Sequence, residues 1–260
     1  MPGAGPSQSY FWQVFALLQL SAIQLVRSPS APPRAAAFRR LRQRTFLLTA
    51  IGAAVIVALM VALDTIEIGM MPPRGTPSLW PVRILTDFGK DVYVLWLLAA
   101  ALIAIGLVVP LREGLSRARL SHFGTRVQYL FFAVLIPVLM SEVIKWVVGR
   151  GRPFVGGKAN PFNFAPFNGT EAYFSLPSSH AVTSFALAFA VAAIWPKTRI
   201  AMAVYALLIA ASRLVLLAHH PSDVVAGGLL GVIGAMGVRY WFAARRLAFD
   251  IRDHGKIVPR

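Results

Sequence analysis

Three short clusters in the second half of the chain carry side chains able to act on an anion. IKWVVGRGRPF places Lys145, Arg150 and Arg152 within eight residues. SLPSSHAVTSFA sets Ser178, Ser179 and His180 at the head of an apolar run. ASRLVLLAHHPSDVVAG embeds Arg213 in a second apolar run and follows it with His219, His220 and Asp223. The chemistry these types suit is work on a bound anion. A neutral imidazole can be a nucleophile, a neighbouring carboxylate can fix its tautomer, and cations with the backbone N–H groups of a helix start can hold the anion.

Read singly, each cluster has an ordinary explanation. Basic residues at a span end anchor lipid headgroups. Ser178 or Ser179 can serve as a plain N-cap, although the free N–H groups of a helix start also form an anion site, and a cationic His180 there would oppose the dipole. Arg213 can be a structural partner of Glu142 or Asp223. The local sequence does not choose between His219 and His220, since both lie within one helical turn of Asp223.

Positioning these residues falls to membrane helices. The 260-residue chain is 57% hydrophobic and only 14% charged, with a mean hydropathy of +0.64. A hydrocarbon core needs about 20 apolar residues per helix. Six stretches meet or approach this: Thr45 to Leu63, Val92 to Leu111, Val127 to Val148, Ser179 to Trp195, Ile200 to Ala218, and Val224 to Ala244. The expected fold is all-α, an integral membrane six-helix bundle. Residues 1–44 form an N-terminal interfacial helix and a basic cytoplasmic segment, 45–245 the six-span domain, and 246–260 a cytoplasmic tail. The run YFWQVFALLQLSAIQLV, broken by Gln13, Gln19 and Gln24 and lacking a basic leader, suits a helix lying in the interface.

The net charge of +16 would suggest a nucleic-acid partner in a soluble protein, but the positive-inside rule explains it here, and no nucleic acid is expected. Most of the 26 Lys and Arg residues fall in alternate segments, Arg27 to Arg44, Arg112 to Arg126, Lys197 to Arg199, and the tail. That side is cytoplasmic, so Lys145, His180, Arg213, His219 and Asp223 gather at the opposite, outward ends of spans three to six. Intramembrane ionisable residues default to functional candidates. Zero cysteines exclude disulfides and thiolate chemistry.

In order, the clusters read K-x6-R-P, P-S-x-H and S-R-x5-H-x3-D, carried by Lys145 to Arg152-Pro153, by Pro177-Ser178-Ser179-His180, and by Ser212-Arg213 to His219 to Asp223. This resembles the type 2 phosphatidic acid phosphatase family of membrane lipid phosphatases. The resemblance covers about Lys145 to Gly228. It implies His219 as nucleophile, His180 as the acid protonating the leaving oxygen, and Asp223 as the group orienting His219. Lys145, Arg152, Ser178, Ser179 and Arg213 then bind phosphate, and His220 is a bystander at the pocket rim. One departure is Ser179, where the family usually has glycine. With three cations present and no outer carboxylate cluster suited to magnesium, a metal-independent reaction without cofactor is expected. The predicted substrate is a lipid phosphate in a bacterial inner membrane: phosphatidate, phosphatidylglycerophosphate, prenyl diphosphate or lipid A. Rival readings are a phosphotransferase using the same phosphohistidine, a non-catalytic lipid-binding protein, and a transporter. Polar residues gathered at one face rather than at mid-membrane argue against transport. Oligomeric state is not legible.

Overall fold

A computed structural model describes residues 9–29, 34–156 and 160–260. Residues 30–33 of the basic segment lie outside the described residues. The helices are α1 (Tyr10–Val26), α2 (Arg34–Ala62), α3 (Asp64–Met70), α4 (Trp80–Asp87), α5 (Asp91–Val108), α6 (Gly114–Val148), α7 (Ser179–Ile194), α8 (Arg199–Val215) and α9 (Pro221–Ala244). The protein is an all-α membrane bundle. Among the described residues, the stretches Arg34–Ala62, Pro77–Leu111, Gly114–Val148, Pro196–Val215 and Pro221–Ala244 are long and apolar enough to cross a membrane. The remaining expected span, α7, is a 16-residue helix.

α7 is the axis of the bundle, packed against α6, α8 and α9. Its composition explains this place. Ala181, Val182, Ala186 and Ala190 are fully buried and small, so neighbouring backbones approach closely. α9 answers with Gly227 and Gly231 on one face. A Cβ at Gly227 would strike the Ser178 carbonyl, and one at Gly231 the Val182 carbonyl, so these glycines permit the approach. The core continues through Tyr129, Val134, Phe242 and Phe249. By contrast α5 buries no residue, and Trp96, Leu97 and Ile103 point outward, as expected of a helix solvated by lipid.

α1 buries none of its residues; it touches the bundle through the Tyr10 hydroxyl, which donates to the Leu107 carbonyl at 2.8 Å, and through the Leu25 carbonyl, which accepts from Trp241 Nε1 at 3.1 Å. The C-terminal tail is more ordered than its composition predicts. β1 (Phe249–Ile251) and β2 (Ile257–Pro259) form an antiparallel pair with Asp250 opposite Val258. Phe249 is fully buried, with its ring centroid 4.7 Å from that of Tyr129. Gly255, at φ +78°, packs so closely on Ala36 and Ala37 that no Cβ fits.

Gly231→Leu should lower thermal stability in detergent by about 1–3 kcal/mol, because the new side chain meets α7 backbone that cannot yield. Gly237→Leu, where a Cβ meets open space, serves as the comparison and should be near neutral.

Candidate active site

The site is assembled from helix ends and the strap between α6 and α7. α6 ends at Gly149, which takes the left-handed conformation (φ 58°) and donates to the Lys145 carbonyl at 2.8 Å. A Cβ there would strike the Ala165 carbonyl, so both the backbone angle and the space demand glycine. The strap then folds back on itself. Gly151 donates to the Asn163 carbonyl, Arg152 to that of Ala172, and Ser175 to that of Arg150, at 2.8 to 3.0 Å. These bonds bring Arg150, Arg152 and Ser175 together at the mouth of α7. The Ser178 N–H donates to the Asp223 carbonyl at 3.0 Å, locking the start of α7 to the first turn of α9.

His219 lies in the turn between α8 and α9, beyond Leu217, whose φ is 47°. Its side chain is almost fully buried, and Nδ1 bonds the Ser175 carbonyl at 2.9 Å. A carbonyl only accepts, so Nδ1 carries the proton and Nε2 the lone pair. Burial, with the Arg213 and Arg152 guanidiniums and His180 nearby, holds the imidazole well below its ordinary pKa, hence neutral.

Asp223 lies beside His219 but makes no hydrogen bond to it. Asp223 Oδ2 stands 3.9 Å from Nδ1 and instead accepts from Ser175 Oγ at 2.5 Å and from the His220 N–H at 2.9 Å. The carboxylate reaches His219 through Ser175, whose carbonyl holds the ring while its hydroxyl holds Asp223. His220 is not at a rim. It is fully buried as the N-cap of α9, where the spacing of Asp223 at the third helical position lets that carboxylate close back on it.

The expected phosphate ligands are brought to the same end of the bundle. Arg213 is buried, and its Nη1 donates to Thr86 Oγ1 of α4 at 2.8 Å. Neither Glu142 nor Asp223 is its partner, since Glu142 pairs with Lys145 and Asp223 with Arg150. Lys145 donates to Glu142 Oε1 at 2.6 Å and also to Ser179 Oγ. The serine that departs from the family pattern therefore engages the same lysine. Arg152 Nε, Arg213 Nε, Ser178 Oγ and His180 Nε2 are buried atoms without a protein hydrogen-bond partner. Buried polar groups are rarely left so, and these four belong to the residues expected to act on phosphate. Among the described residues no group of three or more His, Asp and Glu side chains is arranged as metal ligands.

Beneath this layer is a network that reading the sequence missed. Arg150 is fully buried. It donates from Nη1 to Asp223 Oδ1 at 2.5 Å and Ser222 Oγ at 2.6 Å, from Nη2 to Asp64 Oδ2 at 2.8 Å, and from Nε to the Pro161 carbonyl at 3.0 Å. Asp64, at the start of α3, also accepts from the Ser222 N–H at 3.1 Å and from its hydroxyl at 2.5 Å. Two carboxylates share one guanidinium. A third, Glu67, is buried one turn along α3, and its pKa is raised to about 7 by burial, then by Asp64 and Asp223.

The sequence comparisons agree with this geometry. Residues 126–247 match the model of the PAP2 superfamily. The chain is 30% identical over 210 residues to the lipid A 1-phosphatase of Rhizobium johnstonii, covering 76% of this chain and 84% of the relative. It is 29% identical over 195 residues to the lipid A 1-phosphatase of Rhizobium etli, covering 67% and 82%. It is also 28% identical over 170 residues to the bacitracin transport permease protein BcrC of Bacillus licheniformis, covering 63% and 79%. No solved structure matches. The chain belongs to the PAP2 superfamily, the type 2 phosphatidic acid phosphatases. It is a multi-pass bacterial membrane lipid phosphatase. Asp64 and Thr86 lie outside the matched segment, and no motif pointed to them.

Asp64→Ala should cost about 3–5 kcal/mol of stability in a detergent unfolding assay, because it strips one partner from a fully buried guanidinium. Asp64→Asn, which keeps the shape, should cost less. In protein labelled at histidine, the His219 ring should keep its neutral NMR signature as pH falls through 6.5, its position being set by burial and the guanidiniums.

Proposed function

We propose that the protein removes a phosphate monoester from a lipid A-type lipid on the outward leaflet through a phosphohistidine intermediate, without a metal. His219 Nε2 attacks phosphorus in line. The P–N bond forms as the P–O bond to the lipid breaks, and His180 Nε2 delivers its proton to the leaving oxygen. The dianionic phosphate itself favours the protonated form of His180 on binding. Arg152, Arg213, Lys145, the Ser178 hydroxyl and the first N–H groups of α7 hold the phosphoryl oxygens as charge develops. Water then attacks phosphorus, the P–N bond breaks, and His180 takes the proton it released. Asp223 and Ser175 keep the His219 tautomer fixed through both steps.

The observation that carries this reading is the free Nε2 of a histidine pinned at Nδ1, beside four buried polar atoms without partners. The two relatives named lipid A 1-phosphatase support the substrate class. The gathering of basic residues at the other end of the bundle supports an outward site. Exposed Phe154, Phe162 and Phe167 in the strap suit contact with acyl chains.

The test is phosphate release by purified protein in excess EDTA from lipid A 1-phosphate, phosphatidate, phosphatidylglycerophosphate and a prenyl diphosphate. Lipid A should be turned over fastest, and acid-labile radiolabel should be trapped on protein by rapid quench. His219→Ala should lose at least about 10³-fold in rate together with the trapped label. His220→Ala should retain far more activity per folded molecule. Activity that requires added divalent metal, or label that survives His219→Ala, would sink the mechanism.

A further inference from the structure

A second cation-lined cavity lies at the opposite end of the bundle. It has a volume of about 550 Å³ and is walled by α2, α7, α9 and the turn between β1 and β2. α9 runs from Asp223 in the catalytic site to Arg239 in this cavity, sixteen residues on, or about 24 Å of helix. Four basic residues face it: Arg40 and Arg44 from α2, Arg239 from α9, and Lys256 from the turn. No carboxylate lines it.

Arg239 is held in place. The Arg239 guanidinium donates from Nη2 to the Ile257 carbonyl at 2.8 Å and lies 5.4 Å from the Phe249 ring centroid, while its buried Nε has no partner. Arg44 is close enough to act electrostatically on Arg239. The hairpin that carries Lys256 is itself docked by Gly255 on Ala37 of α2. The rest of the wall is hydrocarbon, including Leu48 and Val232 on the membrane-crossing helices α2 and α9. A charged roof over an apolar wall fits an amphiphile, where free phosphate would leave that wall unused. Basic pockets between membrane helices recognise anionic headgroups by these means.

We propose that this cavity binds an anionic phospholipid, its headgroup phosphate held by Arg40, Arg44, Arg239 and Lys256 and its acyl chains laid along α2 and α9. The site is separate from the catalytic one and does not depend on the phosphohistidine reading. The C-terminal hairpin is a wall of this binding site.

Native mass spectrometry of the full-length protein in detergent, mixed with equimolar phosphatidylglycerol, cardiolipin and phosphatidylcholine, tests it. The anionic lipids should be retained at least tenfold over phosphatidylcholine. Combined Arg40→Gln, Arg44→Gln and Lys256→Gln should reduce that preference at least fivefold. Lys145→Gln, in the catalytic pocket, should leave it intact. The single exposed substitution Lys256→Glu tests the same site with little risk to folding, and should also weaken retention while the melting temperature holds. Excess inorganic phosphate should not displace the lipid. Equal retention of all three lipids, retention unchanged in both cavity variants, loss of the preference in Lys145→Gln, or displacement by inorganic phosphate would each overturn the proposal.

Discussion

The catalytic end of the molecule rests on one buried cation shared between two carboxylates. Arg150 joins Asp64 to Asp223 with no exposed surface on any of the three. An ion taken out of water at such cost is tolerable only when its donors are satisfied, and the Arg150 guanidinium also reaches Ser222 and the Pro161 carbonyl. That one side chain ties the start of α3, the strap after α6 and the first turn of α9. His219 is held one layer above, by a serine whose hydroxyl is fixed on the same Asp223. The orientation of His219 is thus inherited from an ion pair one layer below it.

The helix contacts serve the same end. The approach of α7 to α9, allowed by Gly227 and Gly231, sets the Ser178 backbone against Asp223, so the start of α7 is tied to the first turn of α9, beside the turn bearing His219. On the other flank, α8 brings Arg213 to Thr86 of α4. The candidate site draws on α6, the strap, α7, α8 and the turn into α9, held by short, direct contacts, which suits the proposed reaction, whose acceleration comes from fixed donors around a charged transition state.

Much of this was legible in the sequence because it is written in local patterns. Apolar runs gave the membrane helices, span counting with charge bias gave the end of the bundle where the polar residues gather, and the order of three short motifs gave the family. What stayed hidden depends on distance along the chain. Asp64 and Arg150 are 86 residues apart, and nothing near either names the other. Arg150 read as one more interfacial cation, yet it is wholly buried. Ser175 sits in a stretch without periodicity; it holds His219 through its carbonyl, which every residue has, and its hydroxyl meets a carboxylate far along the chain, so nothing local pointed to it. The hairpin at 249–259 has strands of three residues, too short for alternation to register.

The pairing of Lys145 with Glu142 and Ser179 has a consequence for a protein that lives among phospholipids. In the proposed reaction an arriving headgroup would not meet a bare ammonium; it would meet one already engaged by a carboxylate, and would have to compete for it. A phosphodiester carries a single negative charge, no more than the glutamate it would displace, whereas a terminal monoester carries up to two. In the proposed reaction Glu142 would therefore act as a threshold, favouring a doubly charged phosphate end over a singly charged phosphodiester.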